Sequence, residues 1–238
     1  MKTPEGLSSQ ALRDWVEIPQ RSGYPRGRDT PEVGIPQRSG YPRGRATPEI
    51  GIPQRSRYPQ RSGFPPDTAD LEGIMFKSPT YGKIELNRIP DKILKFYRDH
   101  LKYESTTQII IGTDSQNFDK TKIVSVIAMT CEGHGGIFFY EITQQPLIRD
   151  VRTKLHVETN DSLRVAEALV EIFENSKEYE ELYLNCPIAI HIDAGNSTKG
   201  KTKELIPELV GWIKACGYDC SVKPDSFVAS TIADRLSK

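Results

Sequence analysis

No stretch of this sequence approaches the roughly 18 to 20 consecutive apolar residues that a membrane-crossing helix needs. The first residues, which include Pro4, Glu5, Ser8 and Ser9, have no apolar core of the kind a signal peptide carries. A soluble, cytoplasmic protein without membrane contact is therefore expected. Cysteine is scarce as well. Cys131, Cys186, Cys216 and Cys220 show no paired CxxC spacing, and no histidine stands beside Cys216 and Cys220 to complete a zinc site, so buried free thiols are expected. Neither sign of charge dominates, with 32 Lys+Arg against 32 Asp+Glu, which removes strong electrostatic capture as a driving principle. Apolar residues make up only 37%, too few for a chain that is all core.

The shortfall is local. Residues 1–70 hold 11 of the 17 prolines and 8 of the 18 glycines, and they carry 11 Lys+Arg against 8 Asp+Glu, a balance of +3 that leaves −3 for the remainder. Ile18-Pro19-Gln20-Arg21-Ser22-Gly23-Tyr24-Pro25 recurs as Ile35–Pro42 and again, with Arg57 for glycine, as Ile52–Pro59, a tandem repeat with a period of 17. Prolines at this density remove backbone donors and block both helix and interior strand, so a disordered segment over 1–73 is expected. Its Arg, Tyr and Gly could make weak contacts with single-stranded nucleic acid; a solvated tail is the plainer reading.

Residues 74–238 have the length and patterning of one domain. Ile93, Leu94, Tyr97 and Leu101 recur at helical spacing and predict a helix over Pro90–Lys102. Strands are predicted over Gln108–Thr113, Lys122–Cys131 and Ile137–Thr143, with a turn at Gly133-His134-Gly135-Gly136 between the last two. A long helix over Asp150–Asn175 follows, then strand Ile188–Asp193, helix Lys203–Cys216, strand Asp219–Val222 and helix Ser226–Leu236. That order makes an α/β domain, a mixed five-stranded sheet flanked by helices.

Four carboxylates fall where such a sheet opens a cleft. Asp114 follows the apolar run Ile109-Ile110-Ile111-Gly112-Thr113, and Asp193 ends Ile188–Ile192, so two strands deliver an aspartate each toward their carboxyl ends. An Asx turn is the ordinary alternative at either place. Glu158 lies inside the apolar stripe Ile148, Val151, Leu155, Ser162, Val165, Leu169, Ile172 of the long helix. Buried there, it requires neutralisation, a hydrogen bond or a cation; Lys154, one turn earlier, is an alternative ion-pair partner, and Asp161 the substitute under another register. Asp225 stands where it would cap the last helix, with Asp234 a second candidate. Carboxylates clustered in this way suit two hard divalent cations, Mg²⁺ or Mn²⁺, that would align a water for attack on a phosphodiester.

The segments Phe76–Lys83, Ile110-Ile111-Gly112-Thr113-Asp114-Ser115-Gln116, His191-Ile192-Asp193, Lys201-Thr202-Lys203 and Lys223–Ser230 resemble the YkuK-type ribonuclease H-like family. The resemblance covers about residues 74–238 and none of the repeat. It implies a ribonuclease H-like fold and an acidic metal site in which Asp114, Glu158, Asp193 and Asp225 match the superfamily's catalytic order. The substrate would be a nucleic acid. RNA, DNA and hybrid are told apart by groove shape and 2′-hydroxyl contacts, which no motif here encodes. Ser115, Gln116, Lys199, Lys201, Lys203 and Lys223 are the expected substrate contacts beside the acids, with a solvated loop the equal alternative for Lys199, Lys201 and Lys203.

Two other readings compete. A ribonuclease H-like module that binds nucleic acid or protein without cutting would use the same residues. Gly195-Asn196-Ser197-Thr198-Lys199-Gly200-Lys201-Thr202 also satisfies the phosphate-binding pattern GxxxxGK[ST] between a strand and a helix. Against a nucleotide site, the strand that follows it, Asp219–Val222, lacks the apolar run ending in an acid that a magnesium-binding partner strand would need.

Overall fold

A computed structural model describes residues 73–195, 204–223 and 225–238. The tandem repeat, the rest of the 1–73 segment up to Glu72, most of the GxxxxGK[ST] motif, and Lys199, Lys201 and Lys203 lie outside the described residues.

A seven-stranded mixed sheet organises the chain, in the order β2-β1-β5-β4-β3-β6-β7. The strands are β1 Met75–Ser78, β2 Gly82–Glu85, β3 Thr107–Asn117, β4 Thr121–Cys131, β5 Gly135–Gln145, β6 Ile188–Gly195 and β7 Asp219–Lys223. The five expected from the pattern are all present; the antiparallel hairpin β1–β2 is added at one edge. Four residues per strand are too few for alternation to stand out, yet Phe76 and Ile84 point inward and the turn is closed by Gly82 at φ +70, which L side chains rarely adopt. The β4–β5 hairpin depends on glycine for a different reason. A Cβ at Gly136 would lie 2.6 Å from the Met129 carbonyl oxygen across the ladder.

The helices are α1 Ile89–His100, α2 Val151–Glu174, α3 Glu180–Asn185, α4 Ile206–Ala215 and, after a π-helical segment Val228–Ala233, the short α5 Asp234–Ser237. Pro90 opens α1, where its missing N–H costs nothing. Asp150 caps α2 by accepting the Thr153 N–H at 2.8 Å, which fixes where the helix begins. Two expectations are corrected at the C-terminal side. The helix expected over Lys203–Cys216 is described from Ile206. The one expected over Ser226–Leu236 is mostly a π-helical segment, because Val228, Ile232 and Ala233 pack at spacings of four and five onto the sheet.

Helices α1 to α4 bury one face of the sheet. Phe76, Ile109, Ile111, Ile127, Met129 and Phe139 meet Ile93, Leu163, Leu169, Leu209 and Ile213 in that core. Among the described residues the other face carries only the C-terminal segment, through Val228, Ile232 and Ala233 on Ile110, Val124, Val126, Ala128 and Phe138. No described helix is long and apolar enough to cross a membrane. The four cysteines are free: Cys131 and Cys186 buried, Cys216 and Cys220 half-buried.

Candidate active site

Strand β3 pairs with β6 in parallel only as far as Thr113↔Ile192, while its pairing with β4 continues to Asn117↔Thr121. Asp114 and Asp193 each stand one residue past that last parallel pair. Asp114 therefore does not end its strand, as the apolar run suggested. It sits where β3 parts from β6, and there the sheet opens.

Side chains alternate along β3, so Asp114 and Ser115 face opposite ways. Asp114 faces the C-terminal segment and accepts a hydrogen bond from Ser237 Oγ at 2.6 Å. Ser115 faces α2 and donates to Glu158 Oε1 at 2.6 Å. Glu158 is 5% exposed, on the inner face of α2 as its position in the apolar stripe requires, next to Ser162, whose hydroxyl donates to Thr113 Oγ1 at 2.8 Å. Asp193 is nearly buried, and Lys223 Nζ stands 2.5 Å from its Oδ1, an ion contact outside hydrogen-bond geometry.

These acids act on one another. Burial pushes the Glu158 carboxyl up to about 8, opposed by the Ser115 hydroxyl and the Lys154 charge and reinforced by the charges of Asp114 and Asp193. Burial also raises Asp114, opposed by Ser237 and Lys154 and reinforced by Asp193 and Asp234. Lys154 thus works on Glu158 through its field, without closing to the ion pair that the sequence offered as an alternative. Asp161 is occupied elsewhere. It pairs with Arg164, which also holds the buried Glu141.

Asp114, Glu158 and Asp193 lie close enough for their charges to act on one another, and among the described residues no contact joins Asp225 to them. Asp225 is exposed, its N–H donates to the Val222 carbonyl at 2.9 Å, and its charge is not among those that shift Asp114 or Glu158. Asp234 is the acid of the C-terminal segment whose charge reaches Asp114. The π-helical segment Val228–Ala233 is followed by α5, whose Ser237 lies against Asp114. Lys238 pairs with Asp234 at 2.7 Å and also feels Asp114 and Asp193. Ser115, expected to touch substrate, is 2% exposed and serves Glu158 instead; Gln116, on the other face, is half-exposed. Ser237 was not foreseen, although it falls four residues after the inward Ala233 and so on the buried face.

The histidines play structural parts. His191 is 4% exposed, its Nδ1 accepts the Val228 N–H at 3.3 Å, and burial lowers it to about 4. His156 turns away from the acids toward Glu208 at 3.0 Å. Among the described residues no three His, Cys, Asp or Glu side chains already stand in metal-binding geometry. The donor chemistry nevertheless suits a hard cation: all oxygen, mutually repelling, and buried enough that two of the acids hold their protons more tightly than usual.

Residues 88–238 match the family described as Ribonuclease H-like. The uncharacterized protein YkuK of Bacillus subtilis (strain 168) is 31% identical over 142 residues, 56% of this chain and 81% of that protein. No solved structure matches. The matched span contains β3, β6, α2 and the C-terminal segment, the elements that carry all the acids above, and on that span the chain belongs to the YkuK-type ribonuclease H-like family.

Proposed function

We propose that the chain is a Mg²⁺- or Mn²⁺-dependent nuclease that hydrolyses phosphodiester bonds at Asp114, Glu158 and Asp193, with Asp234 in the place expected of Asp225. The observation that carries this is the opening between β3 and β6, flanked by Asp114 and Asp193 and backed by a Glu158 whose carboxyl is pushed up to about 8. Two divalent cations held there would supply a hydroxide near neutral pH and stabilise both oxygens of an in-line displacement. Ser237 engages only Oδ2 of Asp114 and Ser115 only Oε1 of Glu158, so each carboxylate keeps a second oxygen that could face a cation. Holding a cation at Glu158 would require its carboxylate form, so rising pH would favour it. Lys223, beside Asp193, is free to follow a phosphate once Asp193 has another cation to face.

The test is a cleavage panel of RNA, DNA and hybrid with Mg²⁺ or Mn²⁺. Metal-dependent cutting is expected, lost in Asp114→Asn and in Asp193→Asn with the fold intact by circular dichroism. One observation favours a second reading, a module that binds without cutting: each acid is already engaged by a partner of its own, Ser237, Ser115 or Lys223. Intact substrates across the whole panel, with well-folded protein and both metals, would decide for that reading.

A further inference from the structure

The face of the sheet that carries Asp114 is only half covered. The C-terminal segment lies over β3, β4 and, through Phe138 and Tyr140, part of β5, and among the described residues nothing is packed on this face of β1, β2 and the far end of β5. Register fixes what stands there. Lys83 of β2 is directly opposite Lys77 of β1, Lys77 is opposite Tyr140 of β5, and all three share this face. One row nearer the opening come Ile142, Val124 and Asp114, and past them Gln144, Lys122 and Gln116. Met75, on the same face of β1, is 48% exposed and Ile142 is 37% exposed. Lys77 and Lys83 are exposed and Lys122 is half-exposed.

Two features mark this as a surface built for a ligand. Like charges directly opposite on one sheet face repel and destabilise the pair. Lys77 and Lys83 are such a pair, and the ion pairs among the described residues are made by other cations, so nothing described relieves them. Second, apolar side chains stand exposed between the lysines. A duplex turns phosphates and sugars outward and has little use for Met75 or Ile142, whereas a single strand offers unstacked bases that pack on such a surface. Glu85, opposite Met75 at the outer end of β2, is the carboxylate that a phosphate would avoid, which directs the strand across Lys83 and Lys77. At about 4.8 Å per strand, Lys77 lies three strands from β3, a span of about 15 Å.

We propose that this bare face, from Lys83 and Lys77 across Met75 and Ile142 to Lys122 and Gln116, is a track for a single-stranded nucleic acid that leads to Asp114. The lysines meet its phosphates and the apolar side chains meet its bases. The destination at Asp114 rests on the nuclease reading; the binding does not.

The experiment uses the full chain in EDTA, so that nothing is cut, with labelled oligouridylate and oligothymidylate read by fluorescence anisotropy over a salt series. The triple variant Lys77→Gln, Lys83→Gln, Lys122→Gln is expected to weaken binding by about tenfold or more at low salt and to flatten the slope of log affinity against log salt by about 2. Met75→Ser with Ile142→Ser is expected to weaken binding and leave the slope alone. Lys95→Gln, on the opposite side of the molecule, is the control and should change neither. Lysine dependence in either the ribose or the deoxyribose arm supports the track. Binding unchanged in the triple variant overturns it, as does absence of binding in both arms, or a duplex bound as tightly with the same lysine dependence. Cleavage without lysine-dependent binding removes the track and keeps the nuclease. Lysine-dependent binding by a protein that cuts nothing does the reverse.

Discussion

Among the described residues one face of the sheet is covered by four helices and the other only in part, by a single irregular segment, and the contrast shows where the apolar core is concentrated. Among the described residues the sealed face gathers 34 buried apolar side chains and the other face eight. Both faces nevertheless deliver acids to one place. Glu158 arrives from the sealed side through α2, Asp114 and Asp193 from the half-covered side, and near the rim where β3 leaves β6 their charges act on one another. A carboxylate on the sealed side is desolvated by the helices above it. On the other side Asp193 keeps company with Lys223, and Asp234 with Lys238, both partly open to solvent.

Truncation on a single strand gives the largest expected effect. Phe139 and Ile142 both belong to β5 and point to opposite faces; Phe139 is fully buried and Ile142 is 37% exposed. Phe139→Ala is expected to cost about 3 to 5 kcal/mol in chemical denaturation. If it cost less than about 1 kcal/mol, the sealed face would not be the principal core.

Titration gives the next. The unfolded chain releases the Glu158 proton near the ordinary value of 4.5, and the folded chain holds it to about 8. Because the folded pKa is the higher one, the contribution of Glu158 is complete below pH 4.5 and is lost as pH rises to about 8. Stability should therefore fall across that window by at most about 1.4 kcal/mol per pH unit from this group. Glu158→Gln, which mimics the protonated form, should flatten the fall and leave the variant the more stable protein at the alkaline end, measured by denaturation at a series of pH values. An unchanged slope in the variant would mean that the desolvation by α2 is not felt at Glu158.

Ile142→Ala gives the smallest effect, within about 0.5 kcal/mol, as expected of an exposed side chain that packs against little. A cost near that of Phe139→Ala would show that the half-covered face is in fact covered.

Much of this was legible from the chain alone. The stripe on α2 that includes Leu155, Ser162, Val165 and Leu169 put Glu158 inside before any contact was known, because a helix repeats its faces at fixed spacing. The apolar runs of β3 and β6 put Asp114 and Asp193 side by side for the same kind of reason. The β1–β2 hairpin was missed because four-residue strands leave almost no period to read, and with it went the lysine pair. Asp225 stands at the opening of the last helix, where the family resemblance implies an acid, and Asp234 beside Arg235 reads as a surface ion pair; a π-helical segment has no local signature that would distinguish the two.

The sequence by itself determined the order of the elements in the patterned part, the burial of Glu158 and the delivery of Asp114 and Asp193 by neighbouring strands, since each follows from local spacing and composition. Only the tertiary structure decided that Ser115 faces Glu158 while Asp114 faces Ser237, that Lys223 stands against Asp193, and that Lys77, Lys83 and Lys122 share the face that carries Asp114. Those are matters of strand register and of where the C-terminal segment stops. Register depends on pairings between residues far apart in the chain, and a shift of one position would turn every side chain to the other face.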